Sequence, residues 1–190
     1  MKSKRKLTDT ELFLGCLSHS PSIQKEVYER YSHKMYALCR RYVKETAAAE
    51  DVLIVGFMKV FDRIHQFKGT GSFGGWIRRI MVNECLMYLE KEKNLYNEIG
   101  LDGILPSPVS SQPSDELAVE DLMKLINNLP MGYRTVFNLY AIEGYSHHEI
   151  AKKLQISENT SKSQLSRART HLQKMINTMT FNNSQRLMYA

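Results

Sequence analysis

The stretch from Tyr145 to Lys174 constrains the fold more than any other part of the chain. Ser146, with Glu149 three residues later, matches a capping box, which starts a helix by satisfying free backbone N–H groups. Ser157 can cap a second helix shortly afterwards. Apolar residues recur at helical spacing in both segments, so each helix has one face to bury. The pattern predicts a helix-turn-helix.

The outward side of the second predicted helix is polar and basic, with Lys162, Ser163, Ser166 and Arg167 among its residues. A helix of this size and character fits the major groove of DNA. Basic helix faces also occur on helices that meet only solvent. The local pattern therefore predicts DNA binding but leaves an ordinary helical pair as the alternative.

Charge and cysteine content narrow the classes of function. The chain has a formal net charge of +6, which favours a polyanionic partner. Its three cysteines are far apart and form no Cys/His cluster, so we expect a reducing compartment, no metal and no cofactor. No stretch resembles a signal peptide or approaches the roughly 20 apolar residues of a membrane span. We expect a cytoplasmic protein.

Helical periodicity also dominates the N-terminal part, and no strand alternation appears anywhere. Thr8 and Glu11 predict a capping box for a first short helix, and Pro21 marks the break after it. Three further helices are predicted: from a cap at Ser22 to about Lys44, from Thr46 to about Phe67, and from Ser72 or Gly74 to about Lys93. We therefore expect an all-α fold.

Residues 67–76, FKGTGSFGGW, form a glycine-aromatic loop. Four glycines predict a loop, and the spacing of a phosphate-binding loop is missing. Aromatic rings beside positive charge suit single-stranded nucleic acid, because every base offers a face for stacking. Alternatively, the rings only pin the loop to the core. That second interpretation is preferred for Trp76, and both stay open for Phe67 and Phe73.

Residues 94–116 are rich in proline and serine and lose the helical period. A stretch of this length and composition is typical of a linker between domains. We therefore expect two helical domains, at residues 8–93 and 117–178, and the second includes the helix-turn-helix. A predicted helix at 132–142 would turn Val136, Phe137, Leu139 and Tyr140 inward, and residues 180–190 read as a polar tail.

Two blocks resemble bacterial RNA polymerase sigma factors of the sigma-70 family, extracytoplasmic-function class. One runs from Ala49-Glu50-Asp51-Val52 through FMKVFDRIHQFKGTGSFGGWIRRIMVN to Tyr88-Leu89 and resembles the second conserved region. The other runs from Leu129-Pro130 through GYRTVFNLYAIEGYSHHEIAKKL to SENTSKSQLSRARTHL and resembles the fourth. The resemblance implies a promoter-specificity subunit that binds core RNA polymerase and promoter DNA and helps to open the strands.

The resemblance also implies roles for individual residues. Four would contact the upstream promoter element: Lys162, Ser163, Ser166 and Arg167. Four would handle the melted minus-ten element: Phe67, Lys68, Arg79 and Asn83. Three on the third helix would meet the polymerase: Asp51, Val52 and Phe57. The linker would run toward the active-site cleft, and an anti-sigma factor is a possible partner.

Some positions depart from the family pattern. Ile54 and Val55 replace a polar pair that is common on the polymerase-facing helix, and Glu90 replaces a residue that is often basic. Gln155 stands where the turn usually has glycine, and Ser161 where many members have valine. These departures bear on single contacts and leave the resemblance intact.

Two rival functions remain open from the residues alone. A conventional helix-turn-helix regulator would bind duplex DNA only, and it has no need of the glycine-aromatic loop. An enzyme acting on DNA would need a catalytic constellation, and none is found. The adjacent His147 and His148 point in different directions on a helix, which argues against joint metal binding. They are interpreted as exposed helix residues or as donors to phosphate. Glu50-Asp51 lacks companion groups for acid–base catalysis.

Overall fold

The computed structural model describes residues 7–98 and 119–188 of the chain, and every regular element in these ranges is helical. The elements are α1 (Asp9–Leu17), α2 (Pro21–Tyr42), α3 (Thr46–Asp62), a 3₁₀ turn (Ile64–Gln66), α4 (Phe73–Glu98), α5 (Val119–Asn127), α6 (Met131–Phe137), a π-helical turn (Asn138–Ile142), α7 (His147–Leu154) and α8 (Glu158–Met188). The all-α prediction is confirmed. The chain divides into unit 1, Met1–Ile99, and unit 2, Gly100–Ala190.

Unit 1 is a bundle in which α2, α3 and α4 pack on one another and α1 packs on α2 and α4. A core of apolar side chains fills it, including Leu12, Val27, Leu38, Leu53, Val60, Ile77 and Met81. Gly56 lets α3 approach α4 closely, because a Cβ there would lie 2.3 Å from Met81 Sδ. The buried Glu84 is neutralised by Lys59, whose Nζ lies 2.7 Å from its carboxylate.

The helix ends in unit 1 follow local chemistry, with three differences from the sequence prediction. Helix α3, predicted to reach about Phe67, ends at Asp62 and is followed by the 3₁₀ turn. Thr8 and Glu11 form the predicted capping box. The prediction of Ser22 as the α2 cap is wrong: Ser20 occupies that position and Pro21 is the first helical residue, where its missing N–H costs nothing. Helix α4 runs to Glu98, past the boundary predicted at residue 93.

Unit 2 packs α5, α6 and α7 against α8, and the π-helical turn contacts α6 and α7. The side chains in its core include Leu125, Ile126, Leu129, Val136, Leu139, Ile150, Leu165 and Ala168. Tyr140 was predicted to face inward, but it is 37% exposed. The π-helical turn accounts for the error, since its wider winding shifts the register that a regular helix would have.

Two further outcomes concern the ends of unit 2 and the linker. Helix α8 continues to Met188, through most of the polar tail predicted at residues 180–190. Most of the predicted linker, residues 99–116, lies outside the described residues.

The three cysteines are buried free thiols. Within the described ranges, no helix combines the length and apolar character needed to cross a bilayer.

Candidate nucleic-acid interface

The glycine-aromatic loop connects the 3₁₀ turn to α4. Gly69 and Gly71 adopt φ values of 71° and 81°, in the left-handed region that favours glycine. Ser72 then starts α4, since its hydroxyl accepts a hydrogen bond from the Gly75 N–H at 3.2 Å. The loop therefore folds back over the start of α4.

Aromatic rings hold this loop against unit 1. Phe67 lies 5.1 Å from Phe13, 5.3 Å from Phe73 and 5.5 Å from Trp76, measured between ring centroids. Such spacings fall within the range of favourable ring pairs. Phe73 is buried and belongs to the core, which decides the question that its sequence left open.

A cavity of about 440 Å³ opens between the loop and the first turns of α4. Its lining residues are Gln66, Phe67, Lys68, Thr70, Ser72, Gly75, Trp76 and Arg79. This volume is within the usual range of ligand pockets, roughly 300–1,000 Å³. Aromatic walls beside a lysine and an arginine offer stacking faces and positive charge together, as a nucleotide requires.

Phe67 and Trp76 do two things at once in this arrangement. Phe67 is 8% exposed and Trp76 is half-buried, and both pack in the aromatic cluster while lining the cavity. Pinning the loop and lining a binding site are therefore compatible for these two rings.

The structure brings together three of the four residues predicted for the melted element. Phe67, Lys68 and Arg79 all line the cavity. Asn83 does not line it; it is exposed on α4, one helical turn beyond Arg79 on the same face.

The helix-turn-helix of unit 2 has the local structure that its sequence predicts. Ser146 and Glu149 form the capping box of α7, and Ser157 Oγ accepts from the Thr160 N–H at 2.9 Å at the start of α8. Gln155 ends α7 in the left-handed conformation, with φ 53° and ψ 42°. A residue with a Cβ is disfavoured there, which explains why glycine is the usual choice in such a turn.

The four residues predicted to contact the upstream element share the exposed side of α8. Lys162, Ser163, Ser166 and Arg167 are all exposed. The Arg167 guanidinium lies 3.5 Å from the Tyr133 hydroxyl, at the limit of a hydrogen bond, so most of its donors stay available. Leu165 and Ala168 on the opposite side of α8 are buried.

Helix α3 presents a different surface from the one its sequence suggested for polymerase contact. Asp51 is exposed, but Val52 and Phe57 are buried in the core of unit 1 and offer no contact surface there. The apolar stripe of an amphipathic helix turns inward, and these two residues belong to it. The outward side with Asp51 is also apolar: Ile54, Val55 and Met58 are 51%, 43% and 66% exposed.

One cluster in unit 2 was not predicted from the sequence. His147 Nδ1 lies 2.9 Å from Ser161 Oγ, and the His147 ring stacks on Tyr140. The Arg169 guanidinium lies over the same Tyr140 ring, 5.9 Å from its centroid. Serine in place of valine at position 161 was the one sequence signal that could have revealed it. Among the described residues no three His, Cys, Asp or Glu side chains group as metal ligands.

Comparison with known families gives two matches, which fall in different units. Residues 27–94 match the family described as Sigma-70 region 2, and residues 120–172 match Sigma-70, region 4. The first match includes the cavity and α3, and the second includes the helix-turn-helix.

Three curated proteins illustrate the relationship. The chain is 29% identical to the ECF RNA polymerase sigma factor SigW of Bacillus subtilis, over 80% of this chain and 87% of that protein. It is 27% identical to the RNA polymerase sigma-H factor of Pseudomonas aeruginosa, over 77% and 82%. It is 28% identical to the ECF RNA polymerase sigma-E factor of Escherichia coli, over 74% and 79%.

Two solved structures share the fold. The sigma factor RpoE in complex with the anti-sigma factor NepR, from Bartonella quintana, superposes with a TM-score of 0.55 at 23% identity, covering 80% of this chain and 96% of that one. CnrH in complex with the cytosolic domain of CnrY gives a TM-score of 0.51 at 20% identity, covering 90% and 97%.

Proposed function

The chain belongs to the sigma-70 family of RNA polymerase sigma factors, in the extracytoplasmic-function class, and we propose how its residues divide the work of promoter recognition. As a member it is a promoter-specificity subunit that acts with core RNA polymerase in transcription initiation. The proposal is carried by one observation: an aromatic, basic cavity and a helix-turn-helix with an exposed basic face occur in separate units of one chain.

Unit 2 binds the upstream promoter element as duplex DNA in this proposal. Helix α8 lies in the major groove, where Lys162 and Arg167 donate to guanine edges or phosphates and Ser163 and Ser166 to either. The support is the joint exposure of these four side chains on one face of a helix whose opposite face is buried.

Unit 1 holds a base of the melted minus-ten element in the cavity. Phe67 and Trp76 supply stacking faces, Lys68 and Arg79 supply positive charge for the strand, and the neighbouring Asn83 amide reads a base edge. Taking a base out of the duplex costs a few kcal/mol, which such contacts offset.

The polymerase binds the outward side of α3. Asp51, Ile54, Val55 and Met58 form that surface, and the buried Val52 and Phe57 support it from below. An exposed apolar patch bordered by charge is typical of a protein-binding site. The apolar pair Ile54 and Val55 makes this surface less polar than is usual in the family.

The remaining parts of the proposal concern regulation and chemistry. Because the sigma factor RpoE was solved in complex with the anti-sigma factor NepR, we expect an anti-sigma partner for this chain as well. The chain contributes binding energy and no catalytic group.

Transcription in vitro tests the proposal. Purified core RNA polymerase with the full chain is given a library of random-sequence duplex templates, and the transcripts are sequenced. We expect initiation at sites that share two spaced elements, and none with core polymerase alone. Chain-dependent DNA binding without initiation would instead indicate a conventional duplex-binding regulator.

Substitutions of exposed residues test the two proposed DNA contacts separately. Lys68→Ala and Arg79→Ala should lower strand opening, measured by permanganate reactivity of unpaired thymines, more than duplex binding. Arg167→Ala should weaken upstream binding and relax base preference there by about 1–3 kcal/mol. Lys25→Ala removes one positive charge from an exposed side chain on α2, outside both predicted contacts, and serves as the control. Equal loss of both activities in Arg79→Ala would contradict the assigned role of the cavity.

A further inference from the structure

A hydrogen bond between His147 and Ser161 joins the two helices of the helix-turn-helix. Ser161 is 0% exposed, and its Oγ lies 2.9 Å from Nδ1 of the half-buried imidazole. A buried hydroxyl that loses its partner is destabilising. The bond therefore fixes which edge of the His147 ring faces inward, and covalent geometry turns the other nitrogen, Nε2, away from Ser161. Within the described parts of the chain, no hydrogen bond to Nε2 is found.

Tyr140 packs its ring on a face of the His147 imidazole. The Tyr140 and His147 rings are stacked, with centroids 4.6 Å apart and planes 23° apart. The Arg169 guanidinium carbon lies 5.9 Å from the Tyr140 centroid, within the range of a cation–π contact. One exposed phenol ring thus holds an imidazole and a guanidinium in a single cluster.

This cluster lies beside the predicted DNA-facing side of unit 2. His147 is the first residue of α7, the helix that crosses the DNA backbone in a helix-turn-helix complex. Arg169 follows Lys162 and Ser166 at helical spacing along α8, so all three lie on one side of that helix. The cluster is accordingly placed to meet phosphate oxygens rather than base edges.

The bond to Ser161 persists in both protonation states of the imidazole. When the ring is neutral, the serine hydroxyl can donate to Nδ1, which leaves the N–H on Nε2. When the ring is protonated, Nδ1–H donates to the same oxygen and Nε2 keeps its N–H. The ring can therefore gain a positive charge without losing its orientation.

We propose that His147 binds a DNA phosphate through Nε2 beside Arg169 and that Ser161 is the residue that positions it. This inference rests on the proposed duplex-binding role of unit 2. A phosphate favours the protonated imidazole, so we expect tighter binding to DNA at the lower of two pH values. The other groups around the ring are Tyr140 and Arg169, the neighbouring His148 and Glu149 on α7, and Glu158, which pairs with His148 at 2.8 Å.

The test measures binding of the full chain to a fluorescent duplex of random sequence, since a phosphate contact needs no specific site. Affinity is measured against salt concentration at pH 6 and at pH 8. For the wild-type chain we expect tighter binding at pH 6, and a plot of log affinity against log salt that is steeper by up to about 0.9, the value of one added phosphate contact.

Three variants separate the roles. His147→Asn keeps an amide partner for Ser161 but has no imidazole, so its gain in affinity and salt slope at pH 6 should be clearly smaller than that of the wild-type chain. Ser161→Ala keeps the imidazole but frees its orientation, and should lose most of the gain at pH 6. His148→Ala removes the adjacent titrating group and should keep the full gain. Thermal unfolding at both pH values shows that each variant is folded.

The outcomes distinguish this inference from the proposed function. A wild-type pH gain retained in His147→Asn would overturn the phosphate contact, and a gain retained in Ser161→Ala would overturn the positioning role. If Ser161→Ala does not fold, His147→Asn still decides whether the imidazole carries the gain. Failure of the wild-type chain and His147→Asn to bind duplex at either pH would overturn the duplex-binding role itself.

Discussion

At the residue scale, Gly74 and Gly75 are neighbours in the first turn of α4 with opposite surroundings. A Cβ on Gly74 would lie 2.8 Å from Tyr31 Cε1, whereas a Cβ on Gly75 would meet nothing nearer than Ser72 at 3.6 Å. The Tyr31 ring has little freedom to move, because its hydroxyl donates to Asp9 and its ring packs on Phe73. Of these two glycines, only Gly74 is required by the packing of its neighbours.

Replacing each of these glycines by alanine is therefore a matched pair of experiments. Gly74→Ala should destabilise the chain by about 1–3 kcal/mol through overpacking. Gly75→Ala should stabilise it by about 0.4–1 kcal/mol, since alanine reduces the freedom of the unfolded chain. Urea unfolding of unit 1 measures both. Equal effects of the two changes would mean that Tyr31 does not constrain this turn.

Tyr31 also makes the stability of unit 1 depend on alkaline pH. Burial, aided by the hydrogen bond to Asp9, raises the pKa of Tyr31 from 10 to about 12. The neutral phenol is favoured in the folded state, so its contribution is complete below pH 10 and is lost as pH rises toward 12. Tyr31→Phe cannot ionise. The difference in free energy of unfolding between wild type and Tyr31→Phe should therefore shrink across that interval, and a constant difference would contradict the raised pKa.

At the element scale, α3 has two apolar sides with different uses. One packs in unit 1 through Val52 and Phe57, and the other exposes Ile54, Val55 and Met58. Helical periodicity predicted the buried side. It could not predict that the apolar residues on the outward side are exposed, because their residue types alone also suit a core. Packing against α2 and α4 decided which side was covered.

Substitutions on the two sides of α3 should consequently have different effects. Met58→Glu should weaken binding to core polymerase while changing the free energy of unfolding by no more than about 0.5 kcal/mol, because the side chain is already in water. Phe57→Ala should instead destabilise unit 1 by about 3–5 kcal/mol. Polymerase pull-down and urea unfolding separate the two. Undiminished polymerase binding by a folded Met58→Glu chain would place the docking surface elsewhere.

At the scale of the whole molecule, the two proposed DNA contacts belong to different compact units. Arg79 lines the cavity of unit 1 and Arg167 lies on α8 of unit 2. Independent sites have additive effects on free energy, usually within about 0.3–0.5 kcal/mol. The losses in open-complex formation by Arg79→Ala and Arg167→Ala should therefore add in the double variant, measured on a promoter that the holoenzyme itself selects. A clear departure from additivity would show that the units act as one site.

The helices, the two capping boxes and the helix-turn-helix followed from the sequence, because they depend on residues three or four positions apart. Thr8 with Glu11 and Ser146 with Glu149 are complete signals of this kind. The polar face of α8 was also predicted from local spacing, and Lys162, Ser163, Ser166 and Arg167 are exposed as expected.

What only the tertiary structure decided was set by contacts between distant residues. Phe67 lines a cavity because Phe13, Phe73 and Trp76 hold it there, and Val52 is hidden because other helices cover it. The π-helical turn moved Tyr140 to the surface, where it meets His147 and Arg169. Local spacing specifies which face of a helix is apolar, but only the packing of one helix on another specifies what that face touches.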